Sequence, residues 1–456
     1  MEIIQKNSEK LQRAGLTLQD ISALQQLRPV LQSDFETDNH SFSKYFKAIT
    51  SAMGKFPEKN LRNTNEAEAF YILLSDIRKL REEFLTRHVS ELYSRLTMNQ
   101  TRFLKVEDLV YEAAKIVHGL TPSRSEVEAD SLLAKTDKEG TEYDQGIFLS
   151  HVLANESAGL HLCQAMLLPR PDSMEKKAYL EKHSHMDLGL ASVETTGNVS
   201  WVTMQNPQFL NAEDDFTVDA VEAAVDLALL DDRSTVVVLR GGYNDHSKYK
   251  GRRTFCSGLN VSHLEQGKIS YLWYVKREMG FINKMFRGLA YNDCPADEVL
   301  GVTLEKPWIA QVDTFAVGGG FQYLLAMDYV VAGSDVFMTL PASELGFIPG
   351  AGSLRLPRYA DVRMARELIL MGGRLQSSSP EAKIICDQVV EPDQVEKAIF
   401  EAIEKILRKG YLVNVSNRRA FRISQEPLNL FRQYMSILTR DVAYGLFAPE
   451  KVCKPR

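Results

Sequence analysis

The 456-residue sequence has few cysteines and no long apolar segment. The five cysteines are Cys163, Cys256, Cys294, Cys386 and Cys453. Their number is odd and none belongs to a C-x-x-C pair, so we expect free thiols in a reducing compartment rather than a disulfide framework. No apolar run reaches the ~20 residues that a transmembrane helix needs, and the N-terminus lacks the pattern of a signal peptide. These absences predict a soluble, cytoplasmic protein without a membrane partner.

The sequence also lacks an excess of positive charge and the usual cofactor motifs. Its net charge is −6, with 44% hydrophobic and 25% charged residues, which are ordinary values for a globular protein. Nucleic acid is therefore not an expected partner. There is no G-x-G-x-x-G fingerprint after a strand, and no 2-His-1-carboxylate grouping stands out. His183 and His185 lie in a polar, linker-like stretch and are interpreted as an exposed pair. We predict no metal and no organic cofactor.

The pattern of apolar residues divides the chain into a helical half and a half that mixes strands and helices. From Leu16 to about Lys182, apolar residues recur at helical spacing and strand-like runs are missing. Asn65 and Asp130 stand where N-caps would be useful. The texture changes near Glu194, so we predict a helical domain at 1–190 and a second domain at 191–456. At this length two domains are the default expectation.

The second half alternates strands with helices. Strands are expected at 198–204, 235–240, 309–313 and 329–332. Helices are expected at 218–229, 264–289, 321–327 and 394–408. This alternation predicts an α/β fold with a largely parallel sheet.

The most informative motif follows one of these strands and reads Val317-Gly-Gly-Gly-Phe-Gln322. Three glycines at a strand-to-helix turn leave backbone N–H groups bare beside a helix N-terminus, where negative charge is stabilised. The next polar side chain, Gln322, cannot ionise. The motif predicts an anion site that lacks an adjacent acid or base.

Four segments in order resemble the crotonase (enoyl-CoA hydratase/isomerase) superfamily from about residue 199 to residue 390. They are Asn206-Pro-Gln-Phe-Leu-Asn-Ala212, Phe255-Cys-Ser-Gly-Leu-Asn260, the stretch from Lys306-Pro307 through Gly318-Gly-Gly320 to Met327-Asp328, and the run Leu340-Pro-Ala-Ser-Glu-Leu-Gly346 with Phe347-Ile-Pro-Gly-Ala-Gly352. The resemblance implies a crotonase-like ββα spiral core, preceded here by an all-helical N-terminal domain. It also implies a homo-oligomer, a trimer or hexamer, with a helical C-terminal oligomerisation region.

The resemblance further implies an acyl-CoA site with a two-amide oxyanion hole. Its donors would be the backbone N–H groups of Leu259 and Gly319, and each such donor contributes on the order of 3 kcal/mol to catalysis. Neighbouring positions that the resemblance places at the substrate are Pro207, Ser257, Gly258, Asn260, Gly318 and Gly320. A glycine triplet that serves helix–strand packing alone is the competing interpretation.

The departures from the superfamily pattern are as informative as the matches. Hydratases of this superfamily use two glutamates, and those positions fall on Gln322 and Ala342. Neither an amide nor a methyl group acts as a general base near neutral pH. Glu344 is interpreted as a packing or surface residue. We therefore expect an enolate that is consumed by something other than water chemistry.

This pattern resembles a cofactor-independent branch of the superfamily that oxygenates an arylacetyl-CoA with O₂. It implies release of CoA and an α-keto acid, for an aryl amino acid of vancomycin-type antibiotics. Gln322 would orient O₂ or a peroxide, while the base stays unidentified. The resemblance places contacts to two ring hydroxyls at Glu213 and Arg277; a helix-start acid and a solvated helix charge are the alternatives.

Two further questions stay open from the sequence. The basic loop before the oxyanion segment could meet CoA phosphates through Lys248, Lys250 or Arg253, or could be solvated. Alternative functions are another crotonase-type lyase, thioesterase or isomerase, and a non-catalytic acyl-CoA-binding scaffold. A scaffold has no need of an oxyanion site.

Overall fold

The computed structural model describes residues 2–32 and 34–447, which form two compact units. The first unit contains the residues up to Leu162 together with the end of the last helix from Met435, and the second contains Cys163–Tyr434. The predicted boundary near residue 190 lies inside the second unit, because helix Pro171–His183 packs on the β–α core. We retain as a proposal that the helical and the β–α parts are separate folding domains.

The first unit is built from helices. They are α1 (Glu2–Lys6), α2 (Ser8–Arg13), α3 (Leu18–Leu27), α4 (Phe35–Met53), α5 (Thr64–Leu96), α6 (Val106–Ile116), α7 (Arg124–Ser131), α8 (Tyr143–Ala154) and α9 (Glu156–Leu167), which continues into the second unit. The N-caps predicted at Asn65 and Asp130 are wrong, since both residues lie inside helices. Asn63 caps α5 instead, in a reciprocal capping box with Glu66.

The second unit alternates helices and strands. Its helices are α10 (Pro171–His183), α11 (Asp215–Leu230), α12 (Val261–Glu265), α13 (Tyr271–Arg277), α14 (Asn283–Arg287), α15 (Gly319–Leu324), α16 (Gly352–Tyr359), α17 (Val362–Leu370), α18 (Val395–Leu407), α19 (Tyr411–Gln425) and α20 (Leu428–Phe447), which ends in the first unit. Its strands are β1 (His185–Asp187), β2 (Ala191–Thr196), β3 (Val199–Met204), β4 (Val236–Gly241), β5 (Tyr243–Asn244), β6 (Arg252–Arg253), β7 (Leu289–Ala290), β8 (Thr303–Leu304), β9 (Trp308–Val312), β10 (Phe315–Val317), β11 (Tyr329–Gly333), β12 (Phe337–Thr339), β13 (Arg374–Gln376) and β14 (Gln388–Val390).

A seven-stranded sheet forms the centre of the second unit. Its strand order is β1-β2-β3-β4-β9-β11-β14, and every pairing from β3 to β14 is parallel. The predicted α/β fold with a largely parallel sheet is therefore confirmed. The polar stretch that the sequence suggested was linker-like instead leads into β1, which pairs antiparallel with β2. His183 and His185 are exposed, as predicted, but they lie at the end of α10 and in β1.

The single helix predicted over residues 264–289 is wrong in its boundaries. The chain turns after α12, and Ser270 caps a new helix by accepting a hydrogen bond from the N–H of Trp273 at 3.1 Å. Between α13 and α14 the backbone forms a five-residue π-helical segment, Glu278–Ile282, with Gly280 at non-helical angles. We call the whole stretch of residues 271–287 the kinked helix. Such π segments are frequent at functional sites.

The structure bears on two of the sequence predictions, the free thiols and the missing transmembrane helix. The free thiols predicted at Cys163, Cys256, Cys294 and Cys386 are confirmed. Cys453 lies outside the described residues. Across the described ranges, none of the helices is both long enough and apolar enough to span a bilayer.

Candidate active site

Three chain segments that are distant in sequence form one backbone ladder at the predicted oxyanion site. Glu213 donates its N–H to the carbonyl of Gly258 at 2.7 Å, and its own carbonyl accepts the N–H of Asn260 at 2.9 Å. On the other side, Val317 donates to the carbonyl of Cys256 at 3.0 Å. The segment 255–260 thus lies between Glu213 and the strand that leads into the glycine turn.

The two backbone groups predicted as oxyanion donors are not used by the fold. Among the residues that the structure describes, neither the N–H of Leu259 nor that of Gly319 has a hydrogen-bond acceptor. Gly319 is the first residue of α15, so its N–H belongs to a helix N-terminus, where negative charge is stabilised. The two N–H groups therefore remain available to an oxyanion.

The glycines of the turn are required by geometry. Gly318 has φ +54° and ψ −111°, a conformation that a side chain disfavours strongly. A Cβ on Gly319 would lie 1.5 Å from Oε2 of Glu213, and one on Gly320 would lie 2.7 Å from the carbonyl oxygen of Cys256. The turn can approach its neighbours this closely because it carries no side chains.

The thiol of Cys256 connects the two oxyanion segments. Its Sγ accepts a hydrogen bond from the N–H of Gly258 at 3.3 Å and another from Gly320. Burial, with the negative charge of Glu213, raises the pKa of this thiol well above its ordinary value. A thiol with a raised pKa is a poor nucleophile. We therefore assign Cys256 to packing and hydrogen bonding, not to covalent chemistry.

Glu213 and Arg277 form a buried ion pair beside the glycine turn. The guanidinium donates from Nε to Oε1 at 3.0 Å and from Nη2 to Oε2 at 3.1 Å, and Tyr323 donates its hydroxyl to the same carboxylate. Both side chains are at least 94% buried. The alternative interpretation of Arg277 as a solvated helix charge is therefore wrong. Glu213 does precede the N-cap Asp214 of α11, as the helix-start alternative expected, but its carboxylate binds Arg277.

Gln322 is oriented by the same guanidinium. Its Oε1 accepts a hydrogen bond from Nη1 of Arg277 at 2.7 Å. Because a guanidinium only donates, the amide atom that faces it must be the oxygen. Its Nε2 then points away from Arg277, and within the described residues it donates to no protein acceptor. The amide therefore offers two N–H donors, and Gln322 is 7% exposed.

The second position of the hydratase pattern offers no acid or base. Ala342 lies in a short 3₁₀ turn, Pro341–Leu345, and is half-buried. Glu344, two residues on, is exposed on the surface. The site thus contains neither of the two glutamates of a hydratase.

Glu278 is a residue of this site that the sequence interpretation missed. It is 1% exposed, and its Oε1 accepts a hydrogen bond from Nη1 of Arg277. Burial raises the pKa of Glu278, against the opposite effect of Arg277. Burial also works against the charge of Arg277, yet Glu213 and Glu278 together raise its pKa. Arg277 is therefore a permanent cation held between two carboxylates.

Several predicted substrate contacts have structural partners. Ser257 donates its hydroxyl to the carbonyl of Phe209 at 3.1 Å, and Asn260 caps α12 through its side chain. Pro207 is exposed, and its carbonyl accepts a hydrogen bond from Asn244 at 2.9 Å. The Ser257 hydroxyl, the Asn260 side chain and the Pro207 carbonyl therefore stabilise the conformation of the loops around the site.

The basic loop contributes two exposed cations. Lys248 and Lys250 are exposed. Arg253 is half-buried; its guanidinium lies 4.1 Å from the ring centroid of Tyr243, and Nη1 donates to the carbonyl of Gly241 at 3.2 Å. The two lysines are therefore better placed than Arg253 to meet a phosphate from solvent.

Asn211 is a second residue that the sequence interpretation missed. Its Oδ1 accepts the N–H of Asn206 at 2.6 Å, and its Nδ2 donates to the carbonyl of Thr254 at 2.5 Å. It thereby ties the end of β3 to the start of the oxyanion segment. Its φ of 56° lies in the left-handed region, which asparagine tolerates better than most residues.

No metal site is apparent in the described part of the chain. Across residues 2–32 and 34–447, His, Cys, Asp and Glu side chains nowhere gather in a group of three that could hold an ion. The two carboxylates at the site, Glu213 and Glu278, are both bonded to Arg277. What the site offers chemically is a set of N–H donors and a fixed cation.

Comparison with known proteins connects this geometry to a family. The enoyl-CoA hydratase/isomerase family model matches residues 296–437. The chain is 37% identical over 427 residues to the (3,5-dihydroxyphenyl)acetyl-CoA 1,2-dioxygenase of Amycolatopsis orientalis, covering 93% of this chain and 97% of that protein. It is 28% identical over 246 residues to the short-chain-enoyl-CoA hydratase of Clostridium acetobutylicum, covering 54% of this chain and 82% of the hydratase.

Among solved structures, the carnitinyl-CoA hydratase of Mycobacterium avium matches with 23% identity and a TM-score of 0.46, covering 58% of this chain and 92% of that one. The first of the two sequence relatives aligns along nearly the whole chain, including the helical half. On this similarity, with the two unengaged backbone donors at the glycine turn, the chain belongs to the crotonase (enoyl-CoA hydratase/isomerase) superfamily of acyl-CoA enzymes.

Proposed function

We propose that this enzyme is a dioxygenase that converts (3,5-dihydroxyphenyl)acetyl-CoA and O₂ into 3,5-dihydroxyphenylglyoxylate and free CoA, without metal or organic cofactor. The observation that carries the proposal is the pairing of two available oxyanion donors with Gln322 and Ala342 at the hydratase glutamate positions. Such a site stabilises an enolate but lacks the groups that activate water. The similarity to the Amycolatopsis orientalis dioxygenase supports the same reaction.

The first proposed step is loss of a proton from the carbon between ring and thioester. The negative charge moves to the carbonyl oxygen, where the N–H groups of Leu259 and Gly319 stabilise it. The enolate then gives electrons to O₂, and a C–O bond forms at the same carbon to give a peroxide. Gln322 would donate its Nε2–H groups to O₂ or to the peroxide oxygen. An amide serves here because it donates hydrogen bonds without returning a proton to carbon.

The second proposed step consumes the peroxide. The terminal peroxide oxygen attacks the thioester carbonyl, and the C–S bond breaks to release the CoA thiolate. Loss of the second α-proton with cleavage of the O–O bond leaves the keto group and the carboxylate. One O₂ is used for each thioester, both oxygen atoms end in the α-keto acid, and CoA is released as the thiol. No external reductant is needed for this balance.

Substrate recognition follows from the residues around the turn. Glu213 would accept a ring hydroxyl on a lone pair that Arg277 and Tyr323 leave free, since a carboxylate accepts about four hydrogen bonds. Arg277 would act mainly by holding Glu213 and Gln322, because four of its N–H bonds already go to protein acceptors. Lys248 and Lys250 would meet the CoA phosphates. We also propose a homo-oligomer, a trimer or hexamer, and a place in vancomycin-type antibiotic biosynthesis.

Oxygen uptake measured together with CoA release tests the proposed reaction. Protein treated with a chelator is mixed with (3,5-dihydroxyphenyl)acetyl-CoA, and O₂ consumption is followed with an electrode while free thiol is titrated. We expect one O₂ consumed for each CoA released, and the arylglyoxylate as the product by mass spectrometry. Labelling with ¹⁸O₂ should place both labelled atoms in that product.

Other results would identify the alternatives. CoA release or isomerisation under anaerobic conditions would show a crotonase-type hydrolase, lyase or isomerase. Absence of turnover together with binding of the thioester would show an acyl-CoA-binding scaffold. Either result would refute the dioxygenase proposal.

A further inference from the structure

The segment Phe347-Ile-Pro-Gly-Ala-Gly352 has no role in the reaction proposed above, yet it covers the site from one side. The N–H of Ala351 donates to Oε2 of Glu278 at 3.0 Å. A Cβ on Gly350 would lie 2.0 Å from Oε1 of Glu278 and 2.5 Å from Oε1 of Gln322. The turn at Gly350, with φ +47°, therefore packs its backbone directly on these two oxygens.

Glu278 and Gln322 also share a donor. Nη1 of Arg277 donates to Oε1 of both side chains. The remaining bonds of the guanidinium, from Nε and Nη2, go to Glu213. Because the guanidinium is planar, acceptors on both of its ends fix its rotation as well as its position. Glu278 and Glu213 together therefore determine where Nη1 points.

We propose that Glu278 is a positioning residue that acts through Arg277 and the Gly350 turn to keep the Gln322 amide in one orientation, with its N–H donors available to the bound substrate. Without the Glu278 carboxylate, the guanidinium would keep its two bonds to Glu213 but lose the charged acceptor that holds Nη1, so Nη1 could turn away from Gln322 and the amide could reverse. A reversed amide would present an oxygen lone pair where the peroxide needs a donor. This inference rests on the proposed function, since it assigns the amide to the oxygen step.

The surroundings of Glu278 favour this role over that of a base. Both carboxylate oxygens are engaged, one by Arg277 and the other by the N–H of Ala351. The charged and titratable groups that face it are Arg277, Arg355, Glu213 and Tyr434. Tyr434 donates its hydroxyl to the carbonyl of Gly350, which holds the turn against the carboxylate. Glu278 is thus enclosed by protein groups, and both of its oxygens already accept hydrogen bonds.

The ratio of two rates tests the proposal. Exchange of the substrate α-proton with D₂O under argon reports enolate formation, and O₂ uptake in air reports oxygenation. For Glu278→Gln we expect the ratio of oxygenation to exchange to fall at least tenfold, while exchange itself changes less than threefold. The isosteric change removes the charge and one acceptor but preserves the volume. Glu278→Asp, which retains the charge, should give an intermediate ratio and serves if Glu278→Gln does not fold.

A double-mutant cycle separates positioning from a general loss of structure. In the background Gln322→Met, which has no amide, Glu278→Gln should cause no further fall in the ratio, because both changes act on one group. Glu222→Gln is the matched control: Glu222 is a buried carboxylate that packs on Gly280 of the same kinked helix but binds Lys284 instead. It should lower the melting temperature and leave the ratio unchanged.

The possible failures are distinguishable. If wild-type protein exchanges the α-proton but takes up no O₂, the proposed function is wrong. If wild-type protein oxygenates and Glu278→Gln retains the wild-type ratio, the positioning role is refuted. Independent, multiplicative effects of Glu278→Gln and Gln322→Met on the ratio would refute it as well.

Discussion

Lys284 and Arg277, two of the buried cations on the kinked helix, are each held between two carboxylates, and these two clusters differ in one respect. Lys284 donates to Glu222 and Asp226, both at 2.6 Å, and is completely buried. Arg277 likewise bonds Glu213 and Glu278, but one of its N–H bonds goes to an uncharged side chain, Gln322. The two hydrogen bonds of Lys284 go to carboxylates, whereas Arg277 also bonds the amide that follows the glycine turn.

This difference indicates that the Arg277 cluster has a role beyond stability. Burying charges is costly, and replacing such a cluster by apolar groups is often neutral or stabilising. The Lys284 cluster joins the kinked helix to α11 and needs no further explanation. The Arg277 cluster uses a planar fork, which fixes directions as well as distances. We therefore interpret the first cluster as structural and the second as a device for orienting Gln322 and Glu213.

The largest expected effect comes from removing each cation. Arg277→Met and Lys284→Met each remove the cation that two buried carboxylates share, so the free energy of unfolding should fall by about 3–5 kcal/mol in both. Oxygenation should be abolished in Arg277→Met alone, with the ratio of oxygenation to proton exchange preserved in Lys284→Met. Urea unfolding and the two rate assays measure these effects. Equal catalytic losses in the two variants would remove the distinction between the clusters.

The next effect concerns the turn that the arginine cluster packs against. In Gly319→Ala the new Cβ would lie 1.5 Å from Oε2 of Glu213, so the ion pair and the N–H donor must separate. We expect α-proton exchange to fall about 10²–10³-fold, as for loss of one oxyanion donor. Gly189→Ala is the control, because Gly189 also has positive φ but nothing lies within 4 Å of its would-be Cβ. That variant should lose about 1 kcal/mol of stability and no activity.

A smaller and selective effect is expected at the uncharged partner itself. Gln322→Glu places a third carboxylate on Arg277, so that all of its side-chain acceptors become charged. Oxygenation should fall on the order of 10²-fold, while exchange of the α-proton with solvent is kept or increased, because a carboxyl group can return a proton. Gln322→Met should lower oxygenation without that increase. Faster oxygenation in Gln322→Glu would contradict the role of the amide.

The smallest effect is a difference in pH dependence between the clusters. The pKa of Glu278 is raised above its ordinary value of 4.5, chiefly by burial, so the folded protein binds more protons there than the unfolded chain. Stability should therefore fall as pH rises from about 4.5 through the folded pKa, and Glu278→Gln should lack that slope. Burial works against the charge of Lys284, but Asp226 and Glu222 raise its pKa above 10.5, so its contribution is constant in this window and is lost only at higher pH.

Urea unfolding of wild type, Glu278→Gln and Lys284→Met at intervals from pH 4.5 to pH 7.5 measures these slopes. Lys284→Met should be less stable and show a steeper fall with pH than wild type, because Glu222 and Asp226 lose the cation that favours their charged forms. Parallel profiles for wild type and Glu278→Gln would show that Glu278 does not titrate with a raised pKa.

The parts of the fold that could be predicted are those with local signals. The apolar runs at 199–204 and 236–241 form strands because β-branched residues suit a buried parallel sheet. The glycine turn was predictable because three consecutive glycines between a strand and an apolar run favour a tight turn. The cap at Asn63 was also within reach, because Glu66 three residues later completes a capping box.

The parts that could not be predicted depend on tertiary burial. The run Lys276-Arg277-Glu278 has the composition of a solvated helix face, yet Arg277 and Glu278 are buried. Their burial results from the π segment, which redirects the helix, and from the Gly350 turn, which lies some 70 residues later in the chain. Neither cause leaves a periodic or compositional signal. The role of Glu278 therefore required the structure.

The backbone ladder between Glu213 and Leu259 has a consequence for substrate length. Since Glu213 is hydrogen-bonded on both sides of Leu259, its carboxylate and the Leu259 donor cannot move apart independently. Under the proposed function, a substrate must match both its ring hydroxyl and its carbonyl to that fixed spacing. A homologue lengthened by one methylene group would satisfy one contact at the expense of the other. Selection among thioesters by chain length would thus be built into main-chain hydrogen bonds, where side-chain substitutions cannot readily change it.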